Sequence, residues 1–493
     1  MRFWKHFSTG IGLAIGLLAI TIVAPAGPAD PSAPDDDSKP LAMSVSPKAA
    51  PIEAFHWRLL PLDAARTPGD AVPIYLRLAA QLSDEAKRQI DEKSSAWSDC
   101  TLDALPMAEA RGFVDQWSTR LKQMDYAARR QTAQWNYTLP EESENAFSIL
   151  LPDVQEIRRW SRLLALKARV EIAEKKYDAA IRSIETGLSM AQQVAEGPFL
   201  INGLVGIAIA NQFLGRLEEL ISQPDAPNLY WALTALPRPL VNLRKPISTE
   251  QLMGGYMLPE LNDLDSPRTD AEWAARLSRL HARWNPLVKT LGMLTTIETD
   301  PAKPGEKPAA QPVLTIDADF SKFQAAVLPE ANAFLKARGI SSEDKCEARL
   351  ILMYIAAQYH EIRDDAVKGY YLPYSEATEF YKAAEINRKA AKGAIGNFFT
   401  EITPVLSAAH LAETRLDRRV AALRVIEAIR MYAAANKGSL PASLNKITAV
   451  PVPVDPLTNR PFAYSVENDA AILSAPLRSG NAPGLSYHLS IRH

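Results

Sequence analysis

From Asp153 to Glu174, and again from Tyr177 to Glu196, apolar residues recur at steps of three and four. That spacing puts them on one face of a helix with about 3.6 residues per turn and is incompatible with a strand. The two segments are joined by Lys175-Lys176 and closed by Gly197-Pro198, so they read as a helical hairpin with a defined stop. A further helix-like stretch follows, in which Gly203, Gly206, Ala208 and Ala210 are small enough to admit a close neighbour. The same period predicts helices around 71–93, 108–131, 270–291 and 317–338. It is clearest over 341–365, where Ser341 and Asp344 have capping-box spacing. There Cys346, Leu350, Met353, Tyr354 and Ala357 form a face that runs on to His360. The expected fold class is mainly α, a multi-helix body.

Toward the C-terminus the period changes. Thr403-Pro404 has the form of a helix start, and Leu416, Val420, Leu423, Ile426, Ile429 and Tyr432 make an apolar stripe. Arg415, Arg418, Arg419 and Arg424 fall largely outside that stripe. Gly438 stops the helix and Pro441 prevents its resumption. Short runs at 462–466, 470–474 and 485–491, set between Pro451, Pro453, Asp455-Pro456 and Asn459, read as strands. The prediction is a small C-terminal α+β module, one helix packed on a short antiparallel sheet.

Arg2, Lys5 and His6 precede an uncharged run from Phe7 to Ala29, and Ala24-Pro25-Ala26 gives a small-residue exit. This is the layout of a secretory signal. The run is also just long enough to stay as a spanning anchor, so both outcomes remain open. In either case the bulk of the chain is exported, to the periplasm or the outer face of the cytoplasmic membrane. Membrane contact is expected only through this segment, since no later stretch matches its length and apolarity. The chain then partitions into 1–26, signal peptide or uncleaved anchor, and 27–54, a Pro/Ala/Asp-rich spacer. Residues 55–299 form a helical domain and 300–316 a Pro-rich linker or insertion. Residues 317–403 are a helical segment packing on the body, and 404–493 the helix with its sheet.

Composition removes several classes. Hydrophobic residues make up 47% of the chain, enough for a core. With 55 basic against 57 acidic side chains, there is no basic surplus to hold nucleic acid. Cys100 and Cys346 read as two separate thiols, pairing across a long loop being the alternative in an oxidising compartment. His360-Glu361 lacks the second histidine of a zinc helix. Neither a Gly-x-Ser-x-Gly elbow nor a Gly-Lys-Ser/Thr phosphate loop occurs. No catalytic, cofactor or metal residue is assigned, and no cofactor is expected.

The local feature that invites a function is Asn228-Leu229-Tyr230-Trp231, bracketed by Pro227 and by Pro237-Arg238-Pro239. Neighbouring positions on a helix face different ways. Tyr230 and Trp231 therefore need partners on two sides, and with Arg238 they form the candidate interaction surface; packing between helical layers is the structural alternative. Tyr370, Tyr371, Tyr374, Phe380 and Tyr381 make a second aromatic cluster, read as packing around a helix turn.

Two resemblances extend these readings. Ala168, Tyr177, Ala180, Ile184 and Gly187 are similar to one tetratricopeptide repeat, but no second copy follows at the repeat period. The stretches Ala428–Tyr432, Gly438–Leu444 and Val454–Tyr464 resemble a module at the ends of uncharacterised exported proteins of planctomycete type. That module in turn resembles the soluble domain of type II secretion pseudopilins. Asp225–Leu240 and Leu59–Leu78 are similar to other parts of the same proteins. The resemblance implies export and a shape, and brings no activity. The pseudopilin membrane helix and Gly-Phe processing junction are missing before this module, so its assembly role is not implied. The expected function is a non-catalytic envelope interaction or scaffold protein with an envelope protein partner. An exported hydrolase of an envelope or extracellular polymer, and a secretion-apparatus accessory, are the alternatives.

Overall fold

The computed structural model describes residues 40–98, 100–137, 151–295, 319–390, 405–467, 469–475 and 484–492. The expected export signal, spacer residues 27–39, the Pro-rich stretch 300–316 and the Thr403-Pro404 helix start lie outside them. The described residues are mainly α-helical. In chain order the helices are α1 (Val72–Ala80), α2 (Asp84–Ser98), α3 (Met107–Gln116), α4 (Ser118–Ala128), α5 (Leu151–Ala173), α6 (Tyr177–Ala195) and α7 (Leu200–Ile221). There follow α8 (Tyr230–Thr234), α9 (Arg244–Met257), α10 (Asp270–Thr295), α11 (Phe320–Ala337), α12 (Glu347–Lys368), α13 (Tyr374–Ala390) and α14 (Val405–Ala435).

The chain divides into two compact units, one of Ala29–Tyr137, Leu150–Pro246 and His410–His493, the other containing Ile247–Ala409. Composition suggested boundaries near 299 and 403. By contact the chain passes from one unit to the other at Pro246–Ile247 in α9 and at Ala409–His410 in α14.

In the first unit the hairpin forms as its periodicity requires, and α7 closes against it. Two small residues set the spacing. A Cβ at Gly187 would fall 2.1 Å from the Phe213 ring, and one at Gly206 would fall 2.6 Å from the Ala191 carbonyl oxygen. By length and composition α7 is apolar enough to cross a membrane, contrary to the expectation that no later stretch would be. It is a core helix here, with most of its residues buried. Two predicted helices are split. Residues 71–93 break at Gln81–Ser83, where Ser83 Oγ accepts the Ala86 N–H and starts α2. Residues 108–131 break at Trp117, whose ring is drawn into contact with Phe113 and Trp160, and Arg130–Thr132 leaves the helix to pair with Thr67–Asp70.

In chain order the strands are β1 (Leu41–Val45), β2 (Thr67–Asp70), β3 (Arg130–Thr132), β4 (Val454–Asp455), β5 (Arg460–Pro461), β6 (Ala463–Glu467), β7 (Ala470–Ser474) and β8 (Ser486–Ile491). β2 pairs with β3 and β4 with β5, and the four-stranded sheet has the order β1-β8-β7-β6, with β6, β7 and β8 antiparallel as expected. Its fourth member, β1 (Leu41–Val45), runs parallel to β8 and comes from the stretch read as spacer. The alternation in Leu-Ala-Met-Ser-Val is what permits it, because Met43 and Val45 turn inward together and are buried.

Helix α14 buries charge beside its apolar stripe. Leu416, Val420, Leu423, Ile426 and Ile429 are buried and Tyr432 half-buried, and Arg418, Arg424, Glu427 and Arg430 are buried as well. Arg418 Nε and Nη2 donate to the two carboxylate oxygens of Asp455, both at 2.9 Å. Asp455 also accepts from Leu457 N–H at 3.0 Å and Thr458 Oγ1 at 3.0 Å, so its carboxylate organises the turn that leads into the sheet.

The second unit packs α10, α11 and α12 around Trp273, Leu277, Phe323, Val327, Ile351 and Ile355. The guanidinium groups of Arg268, Arg349 and Arg276 stand 4.9, 5.2 and 5.8 Å from the Trp273 ring centre. Ser341 does not cap α12. Asp344 takes φ 64°, which ends the preceding turn, and the helix starts after Cys346. His360 is exposed on α12. Of the second aromatic cluster, Tyr370 and Tyr374 are buried, whereas Tyr371 and Phe380 are exposed.

Candidate functional site

Helix α8 is one turn long because prolines bracket it, and Asn228 fixes its entry. Asn228 Oδ1 accepts the Tyr230 N–H at 3.1 Å, while its Nδ2 donates to the Glu427 carbonyl at 2.9 Å and the Lys48 carbonyl at 3.2 Å. Tyr230 is 0% exposed. Its hydroxyl donates to the Pro451 carbonyl and lies 3.5 Å from Arg424 Nη2, whose guanidinium stands 5.4 Å from the Tyr230 ring centre. Arg424 Nε donates to Thr234 Oγ1 at 3.0 Å. Tyr230 is thus an anchor beneath the surface and not part of it, because α8 lies on α14 and its ring fills that contact.

Trp231 points the other way and is half-buried. Its ring meets Tyr230 edge-on at 5.2 Å and Phe55 at 6.3 Å. Phe55 is 48% exposed, and Arg58 holds its guanidinium 5.2 Å from the Phe55 ring centre. Beside it, Trp57 Nε1 donates to Asp178 at 2.8 Å. Arg238 is exposed and sits near the charges of Asp417 and Arg424. The accessible surface is therefore Phe55, Arg58 and Trp231 over a fixed floor of Tyr230, Arg424 and Thr234. Sequence reading placed Phe55 and Arg58 at the start of the helical domain and singled out neither. The signal was present, since Phe55-His56-Trp57 is an aromatic run foreign to a solvated linker.

The segment that carries Arg238 is pinned from α14. Asp417 accepts the Leu240 N–H and Glu413 the Leu243 N–H, both at 2.9 Å, and Gln192 Nε2 donates to the Leu240 carbonyl at 2.9 Å. Burial pushes the Asp417 carboxyl up to about 6, against the lowering pull of the Leu240 N–H and Arg238. A carboxyl whose value is raised by folding costs stability once it ionises in the folded chain, so that cost grows as pH rises from about 4 through 6. Asp417→Asn keeps an acceptor for Leu240 and removes the charge. It is expected to raise stability at pH 7 by about 1–2 kcal/mol, allowing for partial solvent access, with no gain at pH 3.5. Urea denaturation of both chains across that range checks it.

One polar cluster has the residue types of a nucleophilic site. Lys167 Nζ donates to Glu171 at 2.5 Å and to Ser183 Oγ at 2.7 Å, and Ser183 Oγ donates to Glu171 at 2.6 Å. An ammonium already bonded to a carboxylate has no lone pair to take the serine proton, and Ser183 is only 2% exposed. The cluster fastens α5 to α6. A fluorophosphonate probe is expected to leave Ser183 unlabelled, and labelling abolished by Ser183→Ala would show the opposite.

Both cysteine thiols are free and half-buried. Among the described residues no group of three or more His, Cys, Asp or Glu is placed to hold a metal ion.

Comparison with protein-family models, curated proteins and solved structures finds no match. The assignment of a role therefore rests on the chemistry of the surface. Two aromatic edges and a cation over one of them can bury apolar area against a partner, and the polar groups below are already bonded within the fold.

Proposed function

We propose that this chain is an exported bacterial envelope protein, periplasmic or on the outer face of the cytoplasmic membrane, acting as a non-catalytic interaction scaffold with an envelope protein partner. The observation that carries the reading is the pairing of exposed Phe55 with Trp231 above a floor in which Tyr230, Thr234 and Arg424 are hydrogen-bonded within the fold. Aromatic and arginine side chains on a rigid base are the residues that dominate binding energy at protein interfaces. The charges on α14 support it too, since they are engaged within the fold: Arg430 with Glu427, Arg418 with Asp455, Arg419 with Glu218, and Asp417 with the Leu240 N–H. The N-terminal charge pattern supports the address. The C-terminal helix and sheet are proposed to be pseudopilin-like in shape only.

The test places a photoreactive benzoylphenylalanine at Trp231 in cells and, as a control, at exposed Glu92 on α2. Irradiation is expected to give one discrete adduct in the envelope fraction from position 231 and none from 92, with the adduct lost on Phe55→Ser. Identical products from both positions, or protein recovered from the cytosol with its first residues intact, would overturn the proposal.

A further inference from the structure

Away from that surface, three arginines and two glutamates are gathered where α5, α7, α14 and β8 meet. Arg419 Nε and Nη2 donate to the two oxygens of Glu218 at 2.8 and 2.6 Å, and its Nη1 donates to the Asn211 carbonyl at 3.0 Å. Tyr487 Oη donates to the same Glu218 at 2.7 Å. Arg169 Nε donates to Glu219 at 3.1 Å, and its outer nitrogens donate to the Trp97 and Cys100 carbonyls. Every nitrogen of these two guanidinium groups has a protein acceptor.

Arg216 is not. Its Nη1 lies 3.2 Å from Glu219 Oε2 without making a hydrogen bond, and its Nε and Nη1 are closed off from solvent with no acceptor. The side chain as a whole is 15% exposed, so the group stands just inside the surface. Its charged neighbours are Arg169, Arg419, Glu218 and Glu219, and three cations against two carboxylates leave one positive charge uncovered. Burial pulls the Arg216 guanidinium down; the attraction of Glu219 opposes it, the repulsion of Arg169 and Arg419 adds to it, and burial also lifts the Glu219 carboxyl and weakens its cover. A buried donor without a partner is costly, and a buried cation without a counter-charge more so. Water could satisfy the N–H groups but not the charge.

We propose that Arg216 is the centre of an anion-binding site that takes a small inorganic anion, of the halide or phosphate class, as the counter-ion this cluster lacks. The ligand would sit on the Arg216 guanidinium, with Arg169 and Arg419 adding attraction and the two glutamates limiting its affinity. The proposal is independent of the role argued for Phe55 and Trp231.

The test follows thermal unfolding of the full chain at constant ionic strength while gluconate is exchanged for bromide or for inorganic phosphate. The wild-type chain is expected to show a saturable rise in Tm with at least one of the two. Arg216→Met is expected to weaken the response at least tenfold, and Glu219→Gln, which removes the nearest competing charge, to tighten it several-fold. Crystals soaked in bromide are expected to show an anomalous peak within hydrogen-bond distance of Arg216. No saturable response in the wild-type chain, an unchanged response in Arg216→Met, or bromide peaks only elsewhere would each overturn the site. Should Arg216→Met fail to fold, Glu219→Gln and the bromide position decide.

Discussion

Arg430→Met is expected to lower the free energy of unfolding by about 3–5 kcal/mol. Arg430 and Glu427 are both 0% exposed, and the pair ties three segments that are distant in the chain. Arg430 Nη1 donates to both Glu427 oxygens at 3.0 Å and to the Pro227 carbonyl at 3.2 Å. Its Nη2 donates to the Ala226 carbonyl at 2.8 Å, and its Nε to the Ser46 carbonyl at 3.0 Å. Methionine fills the volume and supplies none of these donors. A carboxylate is then left in the core beside three unbonded carbonyls, and burial, which already pushes the Glu427 carboxyl up, loses its main opposition. The double variant Arg430→Met, Glu427→Leu is expected to recover a substantial part of the loss, because only the carbonyls then remain unsatisfied. Urea denaturation of the two single variants and the double variant closes the cycle. A loss below about 1 kcal/mol for Arg430→Met would show that water replaces the arginine.

That arginine marks the limit of what a single sequence discloses. The α5–α6 hairpin was legible because its buried face is apolar and its period is local. The stripe of α14 was legible for the same reason. Its buried charges were not, since the reading gives a charge to solvent unless a partner is visible, and the partners lie far off: 384 residues for Ser46 and 37 for Asp455. The splits at Ser83 and Trp117 escaped because both flanks keep the helical period. Trp231 was legible as an aromatic that helix geometry turns away from Tyr230. Which of the two faced outward depended on α14 lying under α8, and no local pattern encodes that. Phe55 follows directly on a proline-rich approach that composition assigns to solvent, and its partner Trp231 lies 176 residues further on.

The same approach conceals β1, and removing that strand is expected to be as damaging as removing Arg430. Val45→Asp puts a carboxylate into a fully buried position between β8 and the core, at an expected cost of about 4 kcal/mol or more. A chain beginning at Pro47 loses the burial of Met43 and Val45, worth about 2 kcal/mol each, the parallel ladder to β8, and the Ser46 acceptor of Arg430. It also turns β8 into an open edge, which in other sheets invites association. Faster amide exchange in β8, with β6 and β7 following, is the expected signature, together with concentration-dependent aggregation. A peptide of residues 40–46 added in trans is expected to slow that exchange again, since its contacts are to β8 and Arg430 and require no covalent link. Unchanged β8 exchange in the shortened chain would mean that the strand rests on the sheet without completing it. The sheet would then have to draw its stability from α14 alone.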